Sequence, residues 1–210
     1  MLRGMELTTL LRVLAPIVAG YFIGALPFGI IVAKIVGGPD PRTLGSGRTG
    51  GANVVRALGP RAGLVAGLLD AAKGAVSVLL AMLVVGDPIV EVLAALAAVL
   101  GHSRSIYIRF GGGRGIAPSF GALVVMQPLI ALLGLLIFIS VLAITLISSL
   151  ASLTAATVAC LVLLAAVVLV PLHPVYAVYG LFATVMIWVF HRDNIERLMA
   201  GREPRIEWRR

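Results

Sequence analysis

The sequence predicts an all-α integral membrane protein with about seven transmembrane helices. Two observations lead to this prediction: 60% of the 210 residues are hydrophobic, and the mean hydropathy is +1.08. Only 12% of the residues are charged, whereas about a quarter are charged in soluble globular proteins. Long apolar runs are separated by polar loops, with no extended polar domain between them. We therefore expect a single multi-pass domain over residues 1–210, with a polar tail over residues 191–210.

The predicted spans follow the apolar runs, because about 20 apolar residues cross the hydrocarbon as a helix. Pro27 is expected to kink the first span, and ANVVRAL in the next polar loop is expected to form a short helix. The fourth segment is only about half a bilayer long as a helix, which indicates a broken or tilted crossing. SSLAS is expected to separate the fifth and sixth spans. The spans cover about residues 13–36, 62–85, 89–108, 115–126, 129–147 and 153–170, and a last one ends near Phe190.

The positions of the cations predict the orientation of these spans. With seven crossings, the arginine-rich loops and the tail lie on one side, and the turns at 86–88, 127–128 and 171–174 lie on the other. Those three turns contain no Lys or Arg. The side with the arginine-rich loops is therefore expected to be cytoplasmic, with the N-terminus outside and the C-terminus cytoplasmic. This topology explains the formal net charge of +8 without a nucleic-acid partner. Six crossings would require the short fourth segment to re-enter.

The N-terminal run lacks a small-residue cleavage pattern, so we expect it to stay in the mature chain.

Two cationic, glycine-rich stretches lie on the predicted cytoplasmic side. Residues 45–56 read GSGRTGGANVVR, and residues 109–115 read RFGGGRG. Glycines let successive backbone N–H groups point toward one anion, and guanidinium forks supply further donors. Two cradles of this kind predict binding of two phosphorylated groups, although glycines that permit helix packing and arginines that anchor at lipid headgroups are the alternative. The glycines predicted to bind phosphate are Gly45, Gly47, Gly50, Gly112, Gly113 and Gly115.

Two charged residues lie within the second span. Asp70 and Lys73 are three residues apart and share one helical face. They are either an ion pair that fixes helix packing or a pair that shapes the floor of a site. The single cysteine, Cys160, lies in an apolar run and is interpreted as a buried hydrophobe. Neither a disulfide framework nor a metal site nor a cofactor is predicted.

Several segments have the order found in a known family: GALPFG, GSGRTGGANVVRALG, LLDAAKG, GHSRSIYIRFGGGRG, SLAS and HRDNIERLMAGREPRI. From about Gly24 to Ile206 the chain closely resembles the bacterial acyl-phosphate-dependent glycerol-3-phosphate acyltransferases. The resemblance implies transfer of a fatty acyl group from acyl phosphate to the 1-hydroxyl of sn-glycerol 3-phosphate, which yields lysophosphatidic acid and phosphate. It also implies seven spans in the cell membrane, a cytoplasmic site and no metal. The expected partners are the two substrates and membrane lipids, and we expect the protein to act as a monomer.

The resemblance also assigns roles to single residues. Ser46 matches the serine of the family's GSGN motif, and Arg56 matches the arginine that the family has after the position of Asn53. Arg114 stands where the family has the second lysine of FKGGKG, and Ser152 matches the serine of SLAS. We expect Ser46 to take part in catalysis, and Arg56, Arg114 and Ser152 to bind substrate phosphate. Further candidates for the site are Arg48, Asn53, His102, Asp70 and Lys73.

His191 and Asn194 match the His and Asn of the family's HRENI motif and complete the predicted catalytic set. They lie three residues apart, which is about one helical turn. His191 is expected to act as a base or as a phosphate ligand, and the acyl phosphate itself is an alternative base. Direct attack by the acceptor is favoured over an acyl-Ser46 intermediate, because the sequence shows no His–Asp pair beside Ser46. Asn53 is expected to brace its loop, whereas His102 is either a site residue or a structural hydrogen-bonding group.

Some positions differ from the family pattern. Arg48 stands where the family usually has Asn, Gly111 where it has Lys, and Pro118 where it has Thr. Arg48 and Arg104 either return the cation lost at Gly111 or admit a different phosphorylated substrate. Two other functions therefore stay open: an acyltransferase with another acceptor or donor, and a small transporter of a phosphorylated metabolite. A transporter site should lie near the bilayer midplane. Asp70 and Lys73 in the second span are the only residues that support such a site.

Overall fold

The computed structural model describes residues 7–206, which are helical with connecting loops and contain no β-strand apart from an isolated bridge between Ser105 and Gly111. Two 3₁₀ turns occupy Pro41–Thr43 and Ile106–Ile108. The α-helices in this part of the chain are α1 (Leu7–Ala25), α2 (Phe28–Ile35), α3 (Gly51–Leu58), α4 (Pro60–Val84), α5 (Pro88–Ser103), α6 (Ile116–Met126), α7 (Pro128–Thr145), α8 (Ser148–Leu169), α9 (Val175–Phe190) and α10 (Arg192–Met199).

Four of these helices, α1, α4, α7 and α8, are long and apolar enough to cross a membrane. Helix α9 qualifies when it is joined to α10, from which it is bent by 64°. Four charged residues lie within the eight of α10, so the apolar part of this pair is α9. Helices α5 and α6 are apolar but shorter. The all-helical membrane fold is thus confirmed, while seven crossings and the orientation of the termini stay predictions.

Several predicted boundaries shift. Among the described residues, the first span covers Leu7–Ala25, and Pro27 is the N-cap of a separate helix. Proline lacks an amide N–H and cannot continue the hydrogen bonding of a helix, so the predicted kink is a full break. SSLAS does not separate two spans but forms the first turns of α8. The break lies just before it, where Leu146 has a φ of 58°.

Other local predictions are confirmed. ANVVRAL lies within the short helix α3, and the short fourth segment forms α6, which has 11 residues. Cys160 is buried and free. These segments were predictable because a helix start and the length of an apolar run are local properties of the sequence.

Small residues bring the helices into close contact. The Cα of Gly24 in α1 packs against the backbone of Ala98 in α5, and that of Gly121 in α6 packs against Ala71 in α4, with no room for a Cβ at either glycine. Such contacts between small residues are typical of helix interfaces in membranes. A core that includes Val78, Leu163 and Tyr179 fills the interior.

The polar loops meet at one end of the helix bundle. Ser105 Oγ donates to Ala25 O at 2.6 Å, which joins the loop after α5 to the end of α1. Ile206 N donates to Leu146 O at 2.7 Å, which joins the tail to the break before α8. Arg12 lies at the opposite end, where its Nη2 donates to Val84 O at 3.0 Å. Both glycine-rich stretches and the tail therefore share the end at which α4, α6 and α8 begin.

Candidate active site

Asn53 holds the first glycine-rich stretch in shape. Its amide nitrogen donates to Pro41 O at 2.7 Å and to Arg48 O at 2.8 Å, and its amide oxygen accepts from Ser46 N at 3.0 Å. Gly45 has a φ of 55°, and its Cα lies against the Asn53 amide. Asn53 thus braces the loop, as the sequence indicated. Ser46 Oγ is buried and has no hydrogen-bond partner among the described residues.

The second glycine-rich stretch rests on His102, at the end of α5. Gly113 N donates to His102 O at 3.1 Å, and the imidazole lies against the Cα of Gly113, where a side chain would not fit. Gly112 packs against the same carbonyl. In the first stretch, Gly47 N donates to Leu44 O at 3.0 Å. Two of the N–H groups predicted to bind phosphate, those of Gly47 and Gly113, are therefore already engaged within the protein.

Asp193 on α10 connects the two stretches. Its Oδ2 lies 2.8 Å from Arg114 Nη2 and 3.4 Å from Arg197 Nη2, and its Oδ1 lies 3.9 Å from Arg48 Nη2. Burial alone would raise the pKa of Asp193, but the guanidinium groups of Arg114, Arg48 and Arg197 hold it below its usual range. The carboxylate is therefore ionised at neutral pH and fixes the guanidinium groups around it.

Glu203 in the tail is the second acidic centre. Its Oε1 accepts from Ser149 Oγ at 2.7 Å and from the amide nitrogen of Asn194, and its Oε2 accepts from Arg197 Nε at 2.7 Å. Burial works against ionisation, but these hydrogen bonds and the charge of Arg197 place the pKa of Glu203 below its usual value. Glu203 thereby joins α8, α10 and the tail.

The predicted catalytic residues His191 and Asn194 lie beside these carboxylates. His191 is buried, and its Nδ1 lies 2.8 Å from Ile187 O. A carbonyl oxygen accepts only, so Nδ1 carries the proton and Nε2 of the neutral ring is an acceptor. Burial lowers the pKa of His191 to about 4, which keeps the ring neutral at pH 7. The amide oxygen of Asn194 has no partner among the described residues.

Arg56 and Ser152 complete the predicted phosphate-binding side chains. Arg56 lies on the last turn of α3, within electrostatic range of Glu203 and Arg197, and burial lowers its pKa. Ser152 is buried on α8, three residues after Ser149, so the two serines face the same side of that helix.

Buried polar atoms without partners are concentrated at this centre. Of the nine such side-chain atoms that the described chain contains, five belong to the two glycine-rich stretches and α10. They are Ser46 Oγ, Arg56 Nε, Arg114 Nε, Asp193 Oδ1 and Asn194 Oδ1. Buried polar groups in proteins nearly always have partners, so this concentration indicates a place for a polar ligand. Four arginines and two carboxylates also leave a surplus of positive charge, which favours an anion.

Three candidates lie apart from the arginine cluster. Lys73 Nζ lies 2.8 Å from Asp70 Oδ1 and 3.0 Å from His102 Nδ1, and all three side chains are buried. These contacts form an ion pair and agree with both interpretations of Asp70 and Lys73, as residues that fix helix packing or that shape the floor of a site. They also connect the pair to the second glycine-rich stretch through His102.

Asp193, Arg197, Ser149 and Glu203 were not predicted from the sequence. The available signal was that Asp193 and Glu203 each stand beside or between arginines in a strongly cationic tail. Two of their pairings are distant along the chain: 79 residues separate Arg114 from Asp193, and 54 separate Ser149 from Glu203.

Comparison with known proteins gives a consistent result. The glycerol-3-phosphate acyltransferase family model matches residues 14–201. The glycerol-3-phosphate acyltransferase of Dinoroseobacter shibae is 36% identical over 203 residues, which cover 96% of this chain and 97% of the relative. The protein of the same description from Synechococcus sp. (strain JA-3-3Ab) is 42% identical over 199 residues, with 93% and 94% covered.

Solved structures give the same answer for the fold. The crystal structure of PlsY (YgiH), an integral membrane glycerol 3-phosphate acyltransferase, in its glycerol 3-phosphate form superposes with a TM-score of 0.86 and 34% identity. The match covers 93% of this chain and 96% of that one. The lysophosphatidic acid form superposes with a TM-score of 0.84. The chain described here belongs to the glycerol-3-phosphate acyltransferase family.

Proposed function

We propose that the protein transfers a fatty acyl group from acyl phosphate to the 1-hydroxyl of sn-glycerol 3-phosphate, with lysophosphatidic acid and inorganic phosphate as products. The observation that carries the proposal is the group of unpartnered buried atoms of Ser46, Arg56, Arg114 and Asn194. Arginine nitrogens donate and phosphate oxygens accept, so a phosphate supplies the partners that these guanidinium groups require. The chain belongs to the glycerol-3-phosphate acyltransferase family, which agrees with this chemistry.

Each of the two arginine-bearing stretches binds one of the two phosphates. Arg56 belongs to the first stretch and Arg114 to the second, and Asp193 fixes Arg114 from α10 at 2.8 Å. Ser152 lies on the face of α8 that carries Ser149 and adds a hydroxyl donor. One phosphate is that of the acceptor, and the other is the leaving group of the donor.

Acyl phosphate is already activated, so the protein has to place the two substrates, stabilise the oxyanion and accept one proton. The acceptor oxygen forms a bond to the acyl carbon, and the bond from that carbon to the phosphate oxygen breaks. His191 Nε2 is free to accept the proton of the hydroxyl, since Nδ1 is bonded to Ile187 O. Ser46 Oγ has no base bonded to it within the described chain, which favours direct attack over an acyl-Ser46 intermediate.

An apolar groove between α6, α7, α8 and α9 is the place that we propose for the acyl tail. It begins near Ile116 and Ile187, beside the carbonyl that holds His191, and continues to Leu163 and Tyr179 in the core. Its walls are almost entirely apolar. A chain bound in this groove would present its activated end to His191.

We further propose seven crossings of the cell membrane, a cytoplasmic site and action as a monomer. The support for the orientation is that Arg48, Arg56, Arg114 and Arg197 lie at one end of the bundle and that cationic loops favour the cytoplasm. Arg12 at the opposite end donates to the last turn of α4, so its position serves helix capping.

A different acceptor is the second candidate function, because Arg48 adds a cation within 3.9 Å of Asp193 where the family usually has Asn. Purified protein in lipid vesicles with radiolabelled sn-glycerol 3-phosphate and palmitoyl phosphate tests both candidates. We expect labelled lysophosphatidic acid, with little competition from sn-glycerol 1-phosphate, dihydroxyacetone phosphate or palmitoyl-CoA. Product formation from palmitoyl-CoA in place of palmitoyl phosphate would contradict the proposed donor, and stronger competition by dihydroxyacetone phosphate would favour the second acceptor.

A further inference from the structure

The ammonium group of Lys73 lies beneath the site, at a point where three helices meet. Its Nζ donates to Leu26 O at 2.8 Å, lies 2.8 Å from Asp70 Oδ1 and lies 3.0 Å from His102 Nδ1. These contacts come from the break after α1, from α4 and from the end of α5. We call Lys73, Asp70, His102 and the Leu26 carbonyl the Lys73 junction. Leu26 O accepts a hydrogen bond from this ammonium group, His102 Nδ1 lies within hydrogen-bonding distance of it, and the carboxylate of Asp70 forms an ion pair with it.

His102 connects the junction to the second glycine-rich stretch. Its Nδ1 lies 3.0 Å from the Lys73 ammonium group and 3.5 Å from Asp70 Oδ1. The Nε2 edge of the ring lies against the Cα of Gly113, and the His102 carbonyl accepts from Gly113 N at 3.1 Å. Arg114 follows directly along the chain and contacts Asp193. The junction thereby determines where the second glycine-rich stretch places Arg114.

The same ammonium also reaches the first glycine-rich stretch. Leu26 lies at the break between α1 and α2, and in α2 the Cα of Gly29 packs against the carbonyl of Thr49, with no room for a side chain. Thr49 belongs to the loop that Asn53 braces. The Lys73 ammonium also lies 5.7 Å from the centre of the Phe28 ring, on the first turn of α2, a cation–π distance.

We propose that Lys73 and His102 are positioning residues that set the separation of the two phosphate cradles. The proposal rests on the proposed function, because the cradles are assigned to the acceptor and donor phosphates there. The buried carboxylate of Asp70 balances the charge of Lys73, which makes an ammonium tolerable at this depth. Loss of the junction should let the cradles move relative to each other and weaken binding of a substrate that contacts both.

The distance between the cradles is measurable directly. Spin labels at Thr43→Cys and Tyr107→Cys, both exposed, report on the two loops in a Cys160→Ala background, since Cys160 is the only native cysteine. The test variant is Asp70→Asn/Lys73→Gln, which leaves no lone buried charge. Glu91→Gln is the matched control, because Glu91 is buried, accepts from Tyr176 at 3.1 Å and lies on α5 far from the cradles.

We expect the double variant to broaden the distribution of label distances and to raise the KM for sn-glycerol 3-phosphate about 10- to 100-fold, with a smaller change in kcat. Gly113→Ala disturbs the contact between Gly113 and the His102 ring from the side of the loop. It should raise the KM for sn-glycerol 3-phosphate as well, without any change of charge. Glu91→Gln should match the parent protein in both measurements. A distribution as narrow in the double variant as in Glu91→Gln would overturn the proposal.

The Gly113→Ala variant decides the proposal if the double variant does not fold: an unchanged KM for the acceptor would then contradict it. The two proposals fail separately. If the parent protein makes no acyl product, the proposed function is wrong, whereas the label distances still show whether the Lys73 junction sets the spacing of the loops.

Discussion

Arg114 Nη2 lies 2.8 Å from Asp193 Oδ2, a contact that joins the second glycine-rich stretch to the polar helix after the last span. Arg48 from the first stretch approaches the other oxygen of the same carboxylate. The site is therefore held together by an acid from the tail, and not only by the glycines that mark it in the sequence.

The side chain at residue 114 gives the first prediction. Arg114→Gln removes a charge that contacts Asp193 and is proposed to bind phosphate, so we expect kcat/KM to fall by about 100-fold or more. Arg114→Lys keeps the charge but loses the planar fork, and the loss should be no more than about tenfold. Steady-state kinetics with varied acceptor would test this order, and equal losses in the two variants would show that charge at this position is not what matters.

Glu203 gives a prediction about stability. Glu203→Gln weakens the bonds to Arg197, Ser149 and Asn194, so we expect a lower thermal unfolding temperature and a loss of about 1–3 kcal/mol. Glu196→Gln, on the exposed face of α10, is the matched control and should change stability little. A Glu203→Gln protein as stable as Glu196→Gln would contradict the role of Glu203 as a connector.

The same carboxylate predicts a pH dependence. The pKa of Glu203 in the folded protein lies below the ordinary value of 4.5, so its stabilising contribution is complete above that value. It is lost as the pH falls through the folded pKa. Unfolding temperatures measured from pH 7 to pH 3 should converge for the parent protein and Glu203→Gln at the acid end. A difference that stays constant down to pH 3 would show that ionisation of Glu203 is not the cause.

Asn53 offers a test of the loop itself. Asn53→Ala leaves Ser46 N and the carbonyls of Pro41 and Arg48 without their partner, which should cost about 1–3 kcal/mol and displace Ser46. Asn53→Asp keeps the acceptor for Ser46 N but loses both donors, so activity should also fall. Unfolding temperature and kcat measured together would check this. Full activity in Asn53→Ala would mean that the loop does not depend on this brace.

The chemical step can be tested through Ser46. Because Ser46 Oγ has no base bonded to it in the described chain, protein incubated with palmitoyl phosphate alone should gain no acyl mass in intact-protein mass spectrometry. Ser46→Ala is the control for acylation elsewhere. A palmitoyl adduct that appears in the parent protein, is absent from Ser46→Ala and disappears when acceptor is added would replace direct attack by an acyl-enzyme route.

The local parts of this fold and site were predictable, and the distant ones were not. Apolar length predicted the membrane helices, and glycines between arginines predicted both loops. Pro27 and SSLAS were misplaced because a proline between apolar runs fits either a kink or a break, and serines fit either a turn or the first turns of a helix. The contacts of Asp193 with Arg114 and of Glu203 with Ser149 were missed because a pairing across 79 or 54 residues leaves no local pattern.

The most direct test of the proposed activity is release of inorganic phosphate from palmitoyl phosphate by purified protein in lipid vesicles, with and without sn-glycerol 3-phosphate. We expect release that requires the acceptor, falls at least about 100-fold in Ser46→Ala and His191→Ala, and is unchanged in Arg12→Gln at the opposite end of the bundle. Release that is independent of the acceptor, or equal in the parent protein and both site variants, would contradict the proposed acyl transfer.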